Sequence, residues 1–311
     1  MALHHIEPER ATLHGRFSRD LTPALTIDSG DTVRYRTLDV AWGMEQHGAS
    51  GTPRKKFAPR HAERDDGPAL HGPVALRGAA PGMTLAVHIE VVQPVSWGWT
   101  WVGASPSTAA LHAALGVAEA PEVLIRWRLD TETMVGVSEQ GHRVGLRPFL
   151  GIIGMPPAAP GLHAGWPPRI EGGNMDCKEL VAGSTLYLPI AVPGGLVSVG
   201  DGHAVQGDGE AGGTAIECPM ERVDLRYVLH DDLRIGAPRA HTPVGWVTLG
   251  FGETLEAATA MALGEMLDLI EDAWAVSRPE ALALAGVAVD VRITQLVNGI
   301  VGVHAVLPDE F

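Results

Sequence analysis

The stretch Val199-Gly-Asp-Gly-His-Ala-Val-Gln-Gly-Asp-Gly-Glu-Ala211 is the most informative part of this chain. It follows an apolar, strand-like run at residues 187–199 and places three carboxylates, one imidazole and one amide between glycines. Asp201 and His203 are two residues apart, so in extended backbone their side chains leave the same face of a strand. Glycines let the backbone turn sharply and approach a bound ion or small molecule closely. The pattern predicts a buried β-strand that ends in a binding or catalytic site.

The composition limits the class of protein and its partners. The chain has 311 residues, 45% of them hydrophobic, and a net charge of −14 with only 23 scattered Lys and Arg residues. This charge argues against nucleic acid or an anionic membrane surface as a partner. Residues 1–10 contain no apolar signal segment, and no uncharged apolar stretch is long enough to span a membrane. Because Cys177 and Cys218 cannot form a disulfide framework, we expect a soluble, cytoplasmic protein.

The distribution of Gly and Pro predicts a mainly β fold. The 38 Gly and 23 Pro residues separate short β-branched runs, such as residues 32–37, 84–92 and 122–129. Short strands between turn clusters are typical of a β-sandwich or a barrel-like core. We therefore predict such a core for most of the chain.

Helical periodicity is confined to the C-terminal part. Thr254 is suited to cap a helix with apolar residues at spacings of three and four, and Ser277 begins a capping-box pattern. We therefore predict three regions: an N-terminal β region at 1–155, a central β region with the site motifs at 156–241, and a small C-terminal α+β unit at 242–311.

Three further positions carry residue types that suit a functional site. Asn174 and Asp176 follow a pair of glycines, and Glu217 lies inside an apolar run. A glutamate at a core-like position is costly unless it is paired, coordinated or used in chemistry. His71 lies where a charged segment, residues 54–73, enters the next predicted strand. These residues extend the candidate site beyond the central stretch.

The residue types suit a divalent cation. Asp, Glu and His are ligands of such ions, and a catalytic Zn²⁺ site keeps one position open for water. A bound ion polarises a carbonyl group and lowers the pKa of its water to about 7. We predict Zn²⁺ as the cofactor, with Ca²⁺ as the alternative. The predicted ligands are Asp176, Asp201, His203 and His71.

A carboxylate outside the ligand set can transfer a proton to a departing amine. We assign this role to Glu217 or Glu210, with Glu217 as the first choice and Glu210 as the shuttle if Glu217 is a metal ligand, and we expect Asn174 and Gln206 to bind substrate. Each functional role has a structural alternative: Asp201 and His203 as a structural pair, and Glu217 as a solvent-facing edge residue. Trp97, Trp99 and Trp101 alternate along the sequence, so their indole rings share one face of a predicted strand. We expect these rings to pack in the core or at a subunit interface, and the second choice is the wall of a pocket.

Several of these motifs together resemble the acetamidase/formamidase family. The resemblance extends over residues 25–308, and its central motif is specific. It is carried by Gly172-Gly-Asn-Met-Asp176, Leu186-Tyr-Leu-Pro-Ile-Ala-Val-Pro-Gly194, Gly200-Asp-Gly-His-Ala-Val-Gln-Gly-Asp-Gly-Glu210 and Gly213-Thr-Ala-Ile-Glu217, and further by His71-Gly-Pro73, Pro148-Phe-Leu-Gly-Ile-Ile-Gly154 and Asp290-Val-Arg-Ile-Thr-Gln-Leu-Val-Asn298. The resemblance implies a metal-dependent hydrolase that converts small linear amides to carboxylate and ammonia. It also implies a mainly β fold with a C-terminal α/β unit, and a homodimer or larger homo-oligomer.

The chain departs from the family pattern at several positions. Met83 stands where the family usually has an acidic residue, and Cys177 stands where Thr or Ile is familiar. These departures keep two alternatives open. One is an amidase that acts on a larger or aromatic amide, and the other is a non-catalytic β-sandwich protein that binds a metal or a ligand.

Overall fold

A computed structural model describes residues 1–48 and 52–310, in which most secondary structure is β. Its largest sheet is mostly antiparallel and has nine strands, with β1 and β5 paired in parallel. The strands are numbered in chain order. Across the sheet they run β1 (Leu3–Ile6), β5 (Thr32–Tyr35), β17 (Met220–His230), β7 (Thr84–Pro94), β15 (Thr185–Pro189), β18 (Arg239–Thr242), β19 (Gly245–Gly252), β21 (Val301–Leu307) and β20 (Asp290–Gln295).

Three smaller sheets accompany it. The six-stranded sheet contains β14 (Gly172–Asn174), β12 (Phe149–Gly154), β16 (Val197–His203), β6 (Leu70–Leu76) and β2 (Leu13–His14), with β4 (Leu25–Ile27) paired to β6. The four-stranded sheet runs β11 (Arg143–Gly145), β10 (Val135–Ser138), β9 (Val123–Asp130) and β8 (Trp97–Val102). The last pair is β13 (His163–Ala164) and β3 (Arg16–Phe17). The prediction of a mainly β fold is confirmed, and over the described residues the sheets do not close into a barrel.

The main hydrophobic core joins the two largest sheets. Val87 and Leu225 of the nine-stranded sheet belong to the same buried cluster as Ile153 and Val199 of the six-stranded sheet. Burial of these aliphatic side chains is the dominant stabilising term for such a layered β core. It also holds β16, the strand that carries the central motif, between β12 and β6.

The C-terminal helices form where the sequence predicts them. The described residues form three helices, α1 (Ala109–Ala114), α2 (Leu255–Trp274) and α3 (Arg278–Ala288), of which α1 lies outside the C-terminal part that the sequence predicts to be helical. The Thr254 side chain caps α2 by accepting the backbone N–H of Ala257, and Ser277 and Glu280 form the capping box of α3. One face of α2 packs on β19 and β21 through small and aliphatic residues: Ala258, Ala262, Met266, Ile270, Val303 and Ala305.

The nine-stranded sheet contains strands from all three predicted regions, and the proposed boundaries stay a prediction. Among the described residues, none of the helices has the length and apolar character needed to cross a lipid bilayer.

A half-exposed ion network lies on neighbouring strands of this sheet. Arg34 donates two hydrogen bonds to Asp224, at 2.8 and 2.9 Å, and Arg222 donates two more, at 3.0 and 2.5 Å. Burial alone would raise the pKa of Asp224, but the hydrogen bonds from Arg34 and Arg222 outweigh it and lower the pKa to about 2. Asp224 is therefore ionised over the whole physiological range.

Candidate active site

The end of β16 and its neighbour β12 bring the candidate residues together. Asp201 and His203 lie on β16, and their side chains meet directly, with His203 Nε2 3.1 Å from Asp201 Oδ1. Opposite them on β12 is Gly151, where a Cβ atom would lie 2.4 Å from Asp176 Oδ1 and 2.6 Å from Asp201 Oδ2. The absence of a side chain at Gly151 therefore makes room for the cluster.

Three of the clustered carboxylates are carried by strained backbone. Asp176, Asp201 and Glu210 have φ angles of 50°, 59° and 45°. The left-handed region costs a residue with a Cβ atom about 1 kcal/mol or more. Such strain persists only where the surrounding structure enforces it, and its concentration at one cluster favours a functional role over a purely structural one.

Hydrogen bonds fix the orientation of the His203 ring. Gln206 donates its amide N–H to the backbone oxygen of Asp176 at 2.8 Å, which leaves its Oε1 as an acceptor 2.9 Å from His203 Nδ1. Nδ1 must therefore carry a proton. The other nitrogen, Nε2, faces Asp201 Oδ1 and lies 3.3 Å from Glu217 Oε1. This arrangement presents one imidazole nitrogen and two carboxylates to a common point.

Glu217 is held between two strands. Its backbone pairs with Trp99 of β8 through two hydrogen bonds, at 2.8 and 2.9 Å, and its Oε1 accepts the Ala215 N–H at 3.0 Å. The side chain is almost completely buried, and burial is the main cause that raises its pKa to about 8. The positive charge of His203 opposes this rise, while Asp201 adds to it. Glu217 is therefore a buried member of the cluster and not a solvent-facing edge residue.

Asp176 and Glu210 form a second pair of buried acids. Burial and then the charge of Asp201 raise the pKa of Asp176 to about 7. Burial and then the charge of Asp176 raise the pKa of Glu210 well above its usual range. Their ligand-type oxygens lie within 4.8 Å of each other, and Asn298 Nδ2 donates a hydrogen bond to Asp176 Oδ2. One proton is therefore retained between these two carboxyl groups at neutral pH.

The cluster fits a divalent cation. Two sets of side chains have ligand atoms within 4.8 Å of one another, Asp201–His203–Glu217 and Asp176–His203–Glu210. In the described part of the chain, three buried oxygens of the cluster have no hydrogen-bond donor: Asp176 Oδ1, Glu217 Oε2 and Asn174 Oδ1. Buried acidic groups with free lone pairs are costly unless a cation neutralises them. The donor set of carboxylates and imidazole suits Zn²⁺ and similar divalent ions.

A cavity of about 710 Å³ opens above this cluster. Its polar lining includes Asn174, Asp176, Asp201, Glu210, Glu217 and Asn298, and its apolar lining includes Val40, Trp99, Trp101, Leu124, Trp166 and Val297. The structure thus places Trp99 and Trp101 in a pocket wall, where the sequence favoured core or interface packing. The alternation of residues along a strand shows which side chains share a face. It does not show whether that face packs against another element or lines a cavity.

The predicted ligand His71 lies away from the others. It is fully buried in β6, where Nε2 accepts the Leu38 N–H at 3.1 Å and Nδ1 contacts the Val199 oxygen at 3.3 Å. Burial lowers its pKa to about 3, so the ring is neutral. Among the described residues, neither set of ligand atoms includes His71. The structure brings together the other predicted site residues, including Asn174 and Gln206.

Asn298 and Gly151 belong to the cluster, but the sequence alone does not predict a site role for either residue. In the sequence, Asn298 only ends one of the motifs that carry the family resemblance, but its side chain reaches Asp176 from the connection between β20 and β21. Gly151 lies in an apolar strand, and only its spacing from Gly154 distinguishes it. Neither position carries a local signal, because both acquire their role from a neighbouring strand.

Comparisons with known proteins agree with this architecture. A sequence model of the acetamidase/formamidase family matches residues 3–166 and 158–235. The chain is 29% identical over 271 residues to a candidate formamidase of Schizosaccharomyces pombe, an alignment that covers 68% of this chain and 65% of that protein. It is 25% identical over 253 residues to an acetamidase of Mycolicibacterium smegmatis, covering 63% of this chain and 61% of the relative. The chain thus spans under two thirds of the length of these curated relatives.

The fold is also similar to that of solved structures. The crystal structure of an acetamidase from Bacillus halodurans superposes with a TM-score of 0.83 at 25% sequence identity, and the superposition covers 98% of this chain and 97% of that one. The likeness therefore extends over the nine-stranded sheet, the strands of the site and the C-terminal helices. By its sequence match over residues 3–235, this chain belongs to the acetamidase/formamidase family.

Proposed function

We propose that this protein hydrolyses the C–N bond of a linear amide to a carboxylate and ammonia, with a divalent cation bound at the cluster. The observation that carries the proposal is the burial of His203 among Asp176, Asp201, Glu210 and Glu217 at a cavity wall. Family membership supports the reaction class, and the donor types support the cation.

The geometry favours one set of ligands for the cation. His203 Nε2 is the ring nitrogen without the Gln206 hydrogen bond, and it already faces Asp201 and Glu217 at 3.1 and 3.3 Å. We therefore assign Asp201, His203 and Glu217 as ligands, with Zn²⁺ as the preferred ion and Asp176 as a further ligand candidate. The bound cation supplies Lewis acidity, which polarises the amide carbonyl and lowers the pKa of water.

Glu210 is the better candidate for the proton shuttle. Its pKa is raised by burial and by Asp176, so it holds a proton that it can donate to the departing nitrogen. Asp176 lies beside Glu210 in the cluster, and its negative charge helps to keep that proton on Glu210. The unpartnered Oδ1 of Asn174, which lines the cavity, is suited to accept an N–H of the substrate amide. We therefore propose Glu210 rather than Glu217 as the proton donor.

Water rather than cysteine is the proposed nucleophile. Cys177 and Cys218 are free and fully buried, and burial raises the pKa of the Cys177 thiol to about 12. Among the described residues, neither Cys177 nor Cys218 lines the cavity. A neutral thiol outside the cavity is a poor nucleophile, so the attacking oxygen comes from water and ends in the carboxylate product.

The test is ammonia release from acetamide, formamide and longer amides, with metal content measured on the same samples. We expect the chelator-treated protein to be inactive and to recover with Zn²⁺ or another divalent ion. His203→Ala and Glu217→Gln should lose metal and activity together, whereas Glu210→Gln should keep metal and lose about 10²–10⁴-fold in kcat. The exposed Glu221→Gln is the matched control. Full activity of metal-free protein contradicts the proposal, and metal without ammonia release favours a non-catalytic binding protein.

The family resemblance also supports an assembly and a compartment. We propose a homodimer or larger homo-oligomer, as the family resemblance implies, and a cytoplasmic location, which the presence of only two cysteines favours. Light scattering coupled to size-exclusion chromatography tests the assembly, because a monomeric mass at micromolar concentration contradicts it.

A further inference from the structure

The cavity above the acidic cluster has a second, basic group of residues in its wall. Arg54, Lys56 and His47 line the same cavity as Asp176 and Glu217. The Arg54 side chain is only 3% exposed, whereas Lys56 is exposed and His47 is half-buried. None of these residues takes part in the proposed hydrolysis.

Arg54 has hydrogen-bonding capacity that the protein does not use. Its Nη1 forms an ion pair with Asp39, but Nε and Nη2 are buried and have no acceptor among the described residues. An arginine presents its donors as a planar fork that matches a carboxylate. A buried, charged donor without a partner is costly, so these two N–H groups indicate an acceptor supplied by a ligand.

Asp39 does not neutralise the whole group. Its two oxygens are occupied by the Gly43 N–H at 2.7 Å, by the Trp99 indole N–H at 2.9 Å and by Arg54. Burial and then the positive charge of Arg54 lower the pKa of Lys56, while Asp39 opposes this. One carboxylate thus faces two cationic side chains, Arg54 and Lys56. The group has one net positive charge, which matches a monoanion.

Indole rings lie beside these cations. The Arg54 guanidinium carbon lies 5.4 Å from the centre of the Trp99 ring, and the His47 ring meets the same indole edge-on at 5.1 Å. Trp101 and Trp166 extend the apolar wall. A cavity of about 710 Å³ is of the size that holds a drug-sized ligand, whereas acetamide has only four heavy atoms.

We propose that the basic group binds a carboxylate carried by the substrate, so that the preferred substrate is an amide with an apolar or aromatic body and a second, anionic end. The proposal rests on the proposed amide hydrolysis and specifies its substrate class. Arg54 supplies the fork and Lys56 the second charge. Trp99 and Trp101 contact the apolar body, while the amide reaches the acidic cluster.

The test compares two matched amides. One is para-carboxyphenylpropanamide, and the other is para-methylphenylpropanamide, which replaces the carboxylate with a neutral group of similar shape. Acetamide serves as the baseline for hydrolysis. A charge-assisted hydrogen-bonded pair corresponds to about tenfold or more in kcat/KM, so we expect at least this preference for the carboxylate. The preference should fall as salt rises, because Lys56 is exposed.

Two variants test the basic group without removing the ion pair of Asp39. Arg54→Lys keeps the charge beside Asp39 and removes the fork, and Lys56→Gln removes an exposed charge. Each should lower the ratio of kcat/KM for the anionic amide to that for the neutral amide, by about tenfold for Arg54→Lys and about threefold for Lys56→Gln. The control is Lys55→Gln, which changes net charge equally and lies outside the described cavity wall.

The outcomes separate this proposal from the proposed function. Equal hydrolysis of the two aromatic amides, or an unchanged ratio in both variants, overturns the carboxylate site while amide hydrolysis stands. If no amide releases ammonia, thermal-shift titration with the monoanion para-methylbenzoate still tests the site. Stabilisation that is lost in Arg54→Lys but kept in Lys55→Gln then supports the site and contradicts the hydrolase. No stabilisation and no ammonia contradict both.

Discussion

Gly151→Ala is the most direct test of how the fold assembles the cluster. The new methyl group would lie 2.4 Å from Asp176 Oδ1, 2.6 Å from Asp201 Oδ2 and 3.0 Å from His203 Cε1. Ordinary contact between a carbon and its neighbours begins at about 3.4 Å. Each carboxylate oxygen must therefore retreat by roughly 1 Å, in different directions, because the methyl group would stand between them.

We expect Gly151→Ala to cause a large loss of metal affinity and activity, and a modest loss of stability. Metal–ligand distances tolerate only about 0.2 Å of change, and a misplacement of about 1 Å at a catalytic group costs about 10²-fold in rate. We therefore expect Gly151→Ala to lose at least tenfold in metal affinity and about 10²-fold in kcat/KM. The free energy of unfolding should fall by about 1–3 kcal/mol, as is usual for an overpacked interior.

The assay combines three measurements on the same preparation. Elemental analysis gives the metal content, ammonia release gives kcat/KM, and thermal unfolding with circular dichroism shows whether the fold is intact. Gly145→Ala is the matched control, since it is also a strand glycine and no described atom lies within 4 Å of the added carbon. If Gly151→Ala keeps wild-type metal content and activity, the side chains do not converge over this residue and the description of the site is wrong.

Three further predictions concern the nucleophile and the stability of the fold. Cys177→Ala and Cys218→Ala should each retain most of the turnover measured by ammonia release, and loss of activity at Cys177 with metal and fold intact would support covalent catalysis instead. Asp224→Asn should lower the free energy of unfolding at pH 7 by about 1–2 kcal/mol, because the carboxylate with the lowered pKa loses its two arginine partners. This loss of unfolding free energy is complete above a pH of about 4 and shrinks as the pH falls towards about 2. Urea unfolding of Asp224→Asn and wild type at pH 7 and pH 3 measures the loss, and equal losses at the two pH values would contradict the prediction. Thr254→Ala should cost about 1 kcal/mol in the same assay through loss of the α2 cap, and a change below a few tenths would show that the cap is not used.

The sequence determines the local features of this protein. The N-caps at Thr254 and Ser277 are predicted and observed, since capping depends on residues only three positions apart. The mainly β class follows from short apolar runs between Gly and Pro. The sequence also predicts that Asp201 and His203 lie close together, and they are in contact, although Asp201 has a φ of 59° instead of the extended backbone that the prediction assumes.

Only the tertiary structure decides which distant residues join Asp201 and His203 in the candidate site. Asn298 reaches Asp176 across 122 positions of sequence, and Gly151 is essential only because a neighbouring strand places two carboxylates over it. His71 has the residue type of a ligand, yet the pairing of β6 with β16 directs its ring to backbone groups. Arg54 lies in the charged segment at residues 54–73, and packing against Asp39 and Trp99 buries its side chain in the cavity wall. Long-range pairing and burial set these positions, and neither can be inferred from the spacing of residues along one strand.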